Sequence, residues 1–579
     1  MAAGPVVRVL PDEPAIAKTF DYLVPESLGD QVRVGDRVRV ALAGRRVGGW
    51  VVATGVEPPP GVALRPLARW SGRGPTPDLI ALADWAAWRW AGRPASFLRT
   101  ASPERVVAGL PAARPRGPAP AVPDTAAGRL AAAALGHDRS VLRLPPAADP
   151  ADVALAAAAR GNALVLCPTA ARAGAVAGRL RRAGVAVALH PRDWAAGAAG
   201  ATVVGTRAAA WAPVGGLTAV VVVDEHDEAH QQTQAPTWHA RDVAAERARR
   251  AGVPCLLTSP VPSLEALGWG TLVTPTRADE RAGWPIVDVV DMRRQDPHTG
   301  LLPPPLVRLL RSDRRVLCVL NRTGRARLLA CAACGELARC ERCGANVTQP
   351  DEATLACVRC GAERPVVCPH CGAGRFKALR QGVSRVRDEI EALVGEPVTE
   401  LSGPAAERGE RPASRVVVGT EAALHQAAGA DVVAFLDLDQ ELLAPRYRAA
   451  EQALALLALA ARVVGGKAGG GRVVVQTHLP RHEVVQAALH ADPARAAAAE
   501  LDRRRLLGFP PATALAEVSG PAAGAFVAAL GAPLGVEVLG PADGRWLVRA
   551  PDHASLADVL AAVDRPAGRL RVAVDPPRI

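Results

Sequence analysis

Eight of the eleven cysteines fall between Cys331 and Cys371 as four Cys-x-x-Cys pairs: Cys331/Cys334, Cys340/Cys343, Cys357/Cys360 and Cys368/Cys371. Thiols crowded in this way build metal sites, and eight thiolates make two tetrahedral zinc centres with four sulfur ligands each. Such centres keep no open coordination position, so they are structural rather than catalytic. Spacing alone permits the pairs to combine in sequential, interleaved or nested order. The remaining cysteines, Cys167, Cys255 and Cys318, stand isolated among apolar residues and read as core packing. The N-terminus lacks the basic and apolar regions of a signal peptide. Clustered cysteines without such a signal fit a reducing cytoplasm. No apolar run is free enough of charge, Gly and Pro to span a bilayer, so no membrane partner is expected.

The 579 residues allow about three to five domains. A net charge of +12 favours a polyanionic partner, although the excess is modest over this length. Residues 1–105 alternate apolar and polar positions, as in Val6–Leu10 and Arg37–Val40, and read as a small β-rich domain. Gly35-Asp36 forms a hairpin turn between a strand at Val32–Val34 and the next. An amphipathic helix with Trp85, Trp88 and Trp90 follows, its indoles buried. Residues 106–125 are Pro-rich and read as a linker. From 126 to 295, helices alternate with solid apolar strands such as Ala219–Val223, the pattern of a parallel sheet covered on both faces. A second such set runs from 296 to 480, interrupted by the cysteine module at 331–371. Residues 481–579 read as a small α+β domain. The expected fold is therefore α/β, with two RecA-like, helicase-type lobes.

Several segments, taken in order, carry a family likeness. Thr19-Phe20-Asp21-Tyr22, Pro25-Glu26 and Gly35-Asp36-Arg37-Val38 open the series, followed by Val204-Gly205-Thr206-Arg207 and Val223-Asp224-Glu225-His226-Asp227. The four cysteine pairs come next, then Val418-Gly419-Thr420-Glu421, Leu436-Asp437-Leu438-Asp439, Arg448-Ala449-Ala450-Glu451 and Arg504-Arg505-Leu506-Leu507-Gly508-Phe509. The chain resembles, nearly end to end, the primosomal protein N′ (PriA) family of replication-restart helicases, in a divergent form similar to the helicase-inactive actinobacterial type. The resemblance implies a 3′-end DNA-binding domain in which Phe20, Asp21 and Tyr22 receive the end of a nascent strand. An aromatic would stack on the terminal base while the carboxylate accepts the 3′-hydroxyl proton. Arg37, Arg39, Arg45 and Arg46 would supply phosphate contacts. It also implies nested zinc pairing, with Cys331, Cys334, Cys368 and Cys371 on one ion and Cys340, Cys343, Cys357 and Cys360 on the other. Arg339, Arg342, Arg359 and Arg364 make the module basic, as contact with DNA or protein would require. The family's winged-helix domain has almost no room here; the 106–125 linker stands in its place.

The motor residues are missing. A phosphate-binding loop needs Gly-Lys-Ser/Thr, and the chain has three lysines, Lys18, Lys377 and Lys467, none in that setting. Where the family carries the loop, this chain reads Leu144-Pro145-Pro146-Ala147-Ala148-Asp149-Pro150; its prolines lack amide donors and its Asp would repel phosphate. The acidic box survives as a degenerate Asp224-Glu225-His226-Asp227, whose carboxylates could still hold Mg2+. This ancestry explains His226, and His226, His230 and His239 are not read as a further metal site. The two arginine-finger positions fall at Val463 and Gly466, and the coupling motif is replaced by Leu424–Gly429. The sequence thus predicts a cytoplasmic, nucleoid-associated protein that binds forked DNA and single-stranded 3′ ends, without ATP as cofactor and without ATPase or helicase activity. Its expected partners are a single-stranded-DNA-binding protein and the replicative helicase or its loader. The rival readings are an active 3′-5′ helicase with an unorthodox nucleotide site, and a zinc-dependent protein adaptor that no longer binds DNA.

Overall fold

The computed structural model describes the chain except residues 1–4, 14–15, 17, 58–60, 114–116, 297–298, 322–328, 379–382, 402–413 and 427–428. The β-rich N-terminal domain contains β1 (Val6–Pro11), β2 (Phe20–Leu23), β3 (Arg37–Leu42), β4 (Arg45–Thr54) and β5 (Arg69–Gly72), in sheet order β2-β1-β4-β3-β5. The Leu23 N–H donates to the Arg65 carbonyl and Leu23 bridges Pro66, which brings the sheet's two edges together in a barrel-like curl. Alternation dictates the inside: Val7, Val9, Val38, Val40, Val47 and Val51 form its core with Tyr22. The expected hairpin differs. Val32–Val34 is not a strand, and β3 turns into β4 at Ala43-Gly44. Gly35 sits instead where backbones touch, since a Cβ there would lie 1.7 Å from the Pro75 carbonyl oxygen. The Asp36 carboxylate accepts from the Arg33 amide, the Trp70 indole and the Arg73 guanidinium, which fixes that loop.

Helix Pro77–Arg89 follows, with Trp85 and Trp88 half-buried and Trp90, just beyond it, fully buried. Aromatic contacts run on from Trp85 through Trp90, Phe97 and Trp211 to Trp238. Residues 106–125 hold no helix or strand among the described residues. The next sheet comprises β6 (Arg139–Arg143), β7 (Asn162–Leu166), β8 (Val187–Leu189), β9 (Thr202–Gly205), β10 (Leu217–Val222), β11 (Cys255–Ser259) and β12 (Thr271–Val273). Its order is β12-β6-β11-β10-β7-β9-β8, with β10 parallel to both neighbours. Cys167 and Cys255 are buried, as expected for packing residues.

The second parallel sheet begins with β13 (Ile286–Asp291) and β14 (Val316–Val319). The cysteine module then interposes β15 (Leu329–Cys331), β16 (Val347–Thr348), β17 (Thr354–Cys357), β18 (Glu363–Pro365) and β19 (Phe376–Ala378) in two small antiparallel sheets. The sheet resumes with β20 (Thr399–Leu401), β21 (Val416–Gly419), β22 (Val432–Phe435) and β23 (Arg472–Thr477), in order β13-β23-β22-β14-β21-β20, parallel throughout. A last antiparallel sheet, β24 (Ala514–Ser519), β25 (Glu537–Ala542), β26 (Arg545–Ala550) and β27 (Arg571–Val574), carries two helices.

The chain divides into two compact units. One holds residues 1–142, 149–274 and 508–577, the other 143–148, 275–507 and 578–579. The sequence places divisions at 295 and 480. β13 pairs with β23, which draws the residues before 295 into the second unit, and helix Ala494–Leu507 packs there through Arg504. In the first unit the C-terminal domain is tied in by Trp88 to Asp558, Arg89 to Asp575 and the Thr237 hydroxyl to the Val574 carbonyl. Among the described residues no helix is long and apolar enough to cross a membrane.

Candidate functional sites

One cavity of about 590 Å3 opens at the end of the N-terminal barrel, lined by Arg8, Thr19, Phe20, Asp21, Tyr22, Ala41–Gly44 and Val62–Arg65. β1 and β2 pair Arg8 directly with Asp21, and the guanidinium donates to both carboxylate oxygens at 2.8 and 3.1 Å. Asp21 is thereby fixed as an acceptor with lone pairs left for a hydroxyl. Tyr22 turns into the barrel core and its hydroxyl donates to the Ala41 carbonyl, so its ring offers no stacking face. Burial raises its pKa and keeps it neutral, against the pull of Arg65. Of the predicted residues, Phe20, Asp21 and Tyr22 meet at the cavity. Arg37 and Arg39 do not line it: Arg37 donates to the Pro103 carbonyl and Arg39 is exposed on the outer face. Arg8 and Arg65, which sequence reasoning missed, do. Arg8 was legible as the single charged residue within Val6–Leu10.

The eight clustered cysteines gather in nested order. Ligand sulfurs of Cys331, Cys334, Cys368 and Cys371 lie within 4.8 Å of one another, and so do those of Cys340, Cys343, Cys357 and Cys360. Sulfur pairs stand at 3.5 to 3.7 Å. A tetrahedral ion with 2.3 Å metal–sulfur bonds needs edges of about 3.8 Å, so both groups can hold one. Each pair ends in a glycine at positive φ, Gly335, Gly344, Gly361 and Gly372. Each of these glycines donates its N–H to the first cysteine's carbonyl. This repeated Cys-x-x-Cys-Gly knuckle aims both sulfurs at one point, and the glycines are a sequence signal additional to the cysteine spacing. Burial opposes the Cys331 thiolate, but the Cys334 and Ala333 amides and neighbouring sulfurs lower its pKa to about 7. Arg359, read as a contact for DNA or protein, is committed internally: it donates to the Ala444, Arg446 and Cys343 carbonyls and seats the module on its own unit. Arg339 pairs with Glu336.

The segments expected to have lost the motor lie in both units. In the second, Pro145 and Pro146 are buried, Ala147 donates its N–H to the Gly283 carbonyl, and Arg462 donates to the Pro146 carbonyl. A Cβ on Gly283 would lie 2.4 Å from that of Pro145. One on Gly466, a finger position, would lie 2.6 Å from the Ala282 carbonyl oxygen and 3.3 Å from the Ala147 Cβ. Val463, the other finger position, lies in the last turn of helix Ala449–Val464. Of the coupling segment, Leu424–Gln426 are helical, while Ala427 and Ala428 lie outside the described residues.

In the first unit, helix Pro150–Arg160 begins with a proline, and the Asp149 carboxylate accepts from the Ala151 amide. Pro150 has no amide hydrogen to offer a ligand, and the Ala151 amide is taken by Asp149. The acidic box follows β10. Glu225 is fully buried, its carboxylate taken by the Ser263 amide and hydroxyl at 2.8 Å and by Arg241 at 3.1 Å. This carboxylate, which the sequence allowed to hold Mg2+, is paired with the Arg241 guanidinium. His226 bonds Ser259, and Asp227 caps the next turn through the Ala229 amide. Asp224 is buried at positive φ. His230 is buried against the Val223 carbonyl.

Residues 8–103 match the PriA 3′DNA-binding domain (3′BD). The chain is 32% identical to the probable replication restart protein PriA of Mycobacterium leprae (strain TN), over 93% of this chain and 91% of that protein. To that of Mycobacterium tuberculosis (strain ATCC 25618 / H37Rv) it is 30% identical, over 97% and 91%. To the replication restart protein PriA of Haemophilus influenzae it is 29% identical, over 56% of this chain and 48% of the other. With likeness over nearly its whole length and a matching 3′DNA-binding domain at its head, the chain belongs to the replication restart protein PriA family.

Proposed function

We propose that this protein binds 3′ ends and branched DNA and recruits the replication machinery as a platform, without hydrolysing ATP. Zinc is the ion in both four-sulfur centres; it closes the knuckles and stiffens a docking surface, while the protein partners are a single-stranded-DNA-binding protein and the replicative helicase or its loader. The pocket acts by complementarity: Arg8 holds the Asp21 carboxylate oriented to accept a hydrogen bond from a 3′-hydroxyl, and the same carboxylate repels a 3′-phosphate. The observation that carries the absence of turnover is Gly466. A side chain there collides with the Ala282 carbonyl, beside the buried Pro145-Pro146 segment, so neither a finger nor a phosphate loop has space. The test is ATP hydrolysis by the zinc-loaded protein with saturating forked DNA. No turnover in a sample that binds the fork is expected. DNA-stimulated turnover lost in D224N would instead make this a working helicase, and a protein that binds no fork at any salt concentration would be an adaptor.

A further inference from the structure

β3 alternates strictly. Val38 and Val40 enter the barrel core, which turns Arg39 and Ala41 outward. Across the sheet Arg39 stands directly opposite Arg69 of β5 and, on its other side, opposite Gly48 of β4. Arg46 is the register partner of Ala41, diagonal to Arg39. All three arginines are exposed, and none has a carboxylate partner among the described residues. Like charges directly opposite on neighbouring strands destabilise a sheet, so stability alone does not account for the Arg39–Arg69 pair. Gly48 adds no side chain beside Arg39 on the β4 side. Asp12, whose Cβ lies 3.8 Å from where one on Gly48 would be, is held by Arg99. Ala41 also lines the Asp21 cavity, and Arg39 lies two strand residues, about 7 Å, from it.

We propose that Arg39, Arg46 and Arg69 form a phosphate-binding stripe that holds the sugar-phosphate backbone of a single strand whose 3′ end occupies the Asp21 cavity; this rests on the 3′-end reading given above. The cavity selects the end and the stripe supplies sequence-independent affinity, which is therefore salt-dependent. Arg37, bound to the Pro103 carbonyl, is not part of it.

The test uses the full-length protein and a 5′-labelled single strand ending in either a 3′-hydroxyl or a 3′-phosphate, with binding followed by fluorescence anisotropy over a salt series. Loss of two phosphate contacts in R39A/R69A should reduce the steepness of log K against log salt by about 1.4, at about 0.7 per contact. The preference for the 3′-hydroxyl should persist, and R39K/R69K should keep the wild-type slope. Without DNA, R39A/R69A should melt no lower than wild type, because a repulsive pair has been removed. An unchanged slope, or a lower melting temperature, overturns the stripe. If wild type ignores the end group while R39A/R69A still flattens the slope, the 3′-end reading fails and, with it, the coupling of stripe to cavity.

Discussion

At the scale of single residues, several positions of the family's motor motifs are engaged in packing. Glu225 is engaged by Arg241 and Ser263, and Gly466 is pressed on by a backbone carbonyl. Gly466 has extended, ordinary dihedrals, so steric contact and not backbone conformation excludes a side chain there. A motif residue can also persist with a structural role. Arg504, 1% exposed, bonds Glu500 and Glu451 and lies 5.0 Å from the Tyr447 ring centroid. Burial pushes the Glu500 carboxyl up, and the arginine beside it opposes that shift. Removing one member of such a network leaves uncompensated buried charge, which costs about 3–5 kcal/mol. R504A should therefore lower the urea midpoint of the second unit while DNA binding by the folded protein is unchanged. A midpoint equal to wild type would show that Glu500 and Glu451 find other partners.

At the scale of elements, the four knuckles would let bound metal stabilise the cysteine module. Its apolar cluster is small, built on Leu329, Ala338, Ala345, Val347, Leu355 and Val366 beside Cys340 and Cys357, so bound ions would supply much of its folding free energy. Chelation, or C340S, should expose the module to proteolysis between Cys331 and Cys371 while β13, β14 and β20 to β23 stay protected; limited proteolysis with mass mapping reads this out. The first unit carries a different sensitivity. Burial, helped by Arg247, lowers the His190 pKa to about 4, and burial lowers that of His230 despite the Val223 carbonyl and nearby carboxylates. The unfolded chain binds these protons near pH 6.5 and the folded chain does not, so stability is lost as pH falls from 6.5 toward 4. Each histidine contributes up to about 1.4 kcal/mol per pH unit. Melting of wild type should fall faster than that of H190Q between pH 7 and 5, and parallel curves would refute the assignment. These elements also show what was legible. Continuous apolar runs such as Ala219–Val223 placed parallel strands correctly, because burial on both faces leaves no other pattern. The turn at Gly35 was misread because positive φ and close approach to Pro75 look the same in sequence. Cysteine spacing identified ligands but not their nesting, which depends on β15 pairing with β19 across the whole module. The Arg8–Asp21 pair depends on strand register, which no local signal specified.

At the scale of the whole molecule, the division into two compact units separates the roles. The Asp21 cavity belongs to one unit, and the cysteine module, with the buried Pro145-Pro146 segment, belongs to the other. A ligand that binds only folded protein raises stability by RT ln(1 + [L]/Kd), about 2.7 kcal/mol at a hundredfold excess over Kd. A single strand with a 3′-hydroxyl should thus raise the calorimetric transition of the first unit. On the platform reading, Mg-ATP at millimolar concentration should move neither transition. Magnesium with the non-hydrolysable analogue is the stricter probe, since it reports binding without turnover. A shift of either transition by the nucleotide would mean that a second, differently built phosphate site exists, and the platform reading would have to accommodate a nucleotide-controlled state.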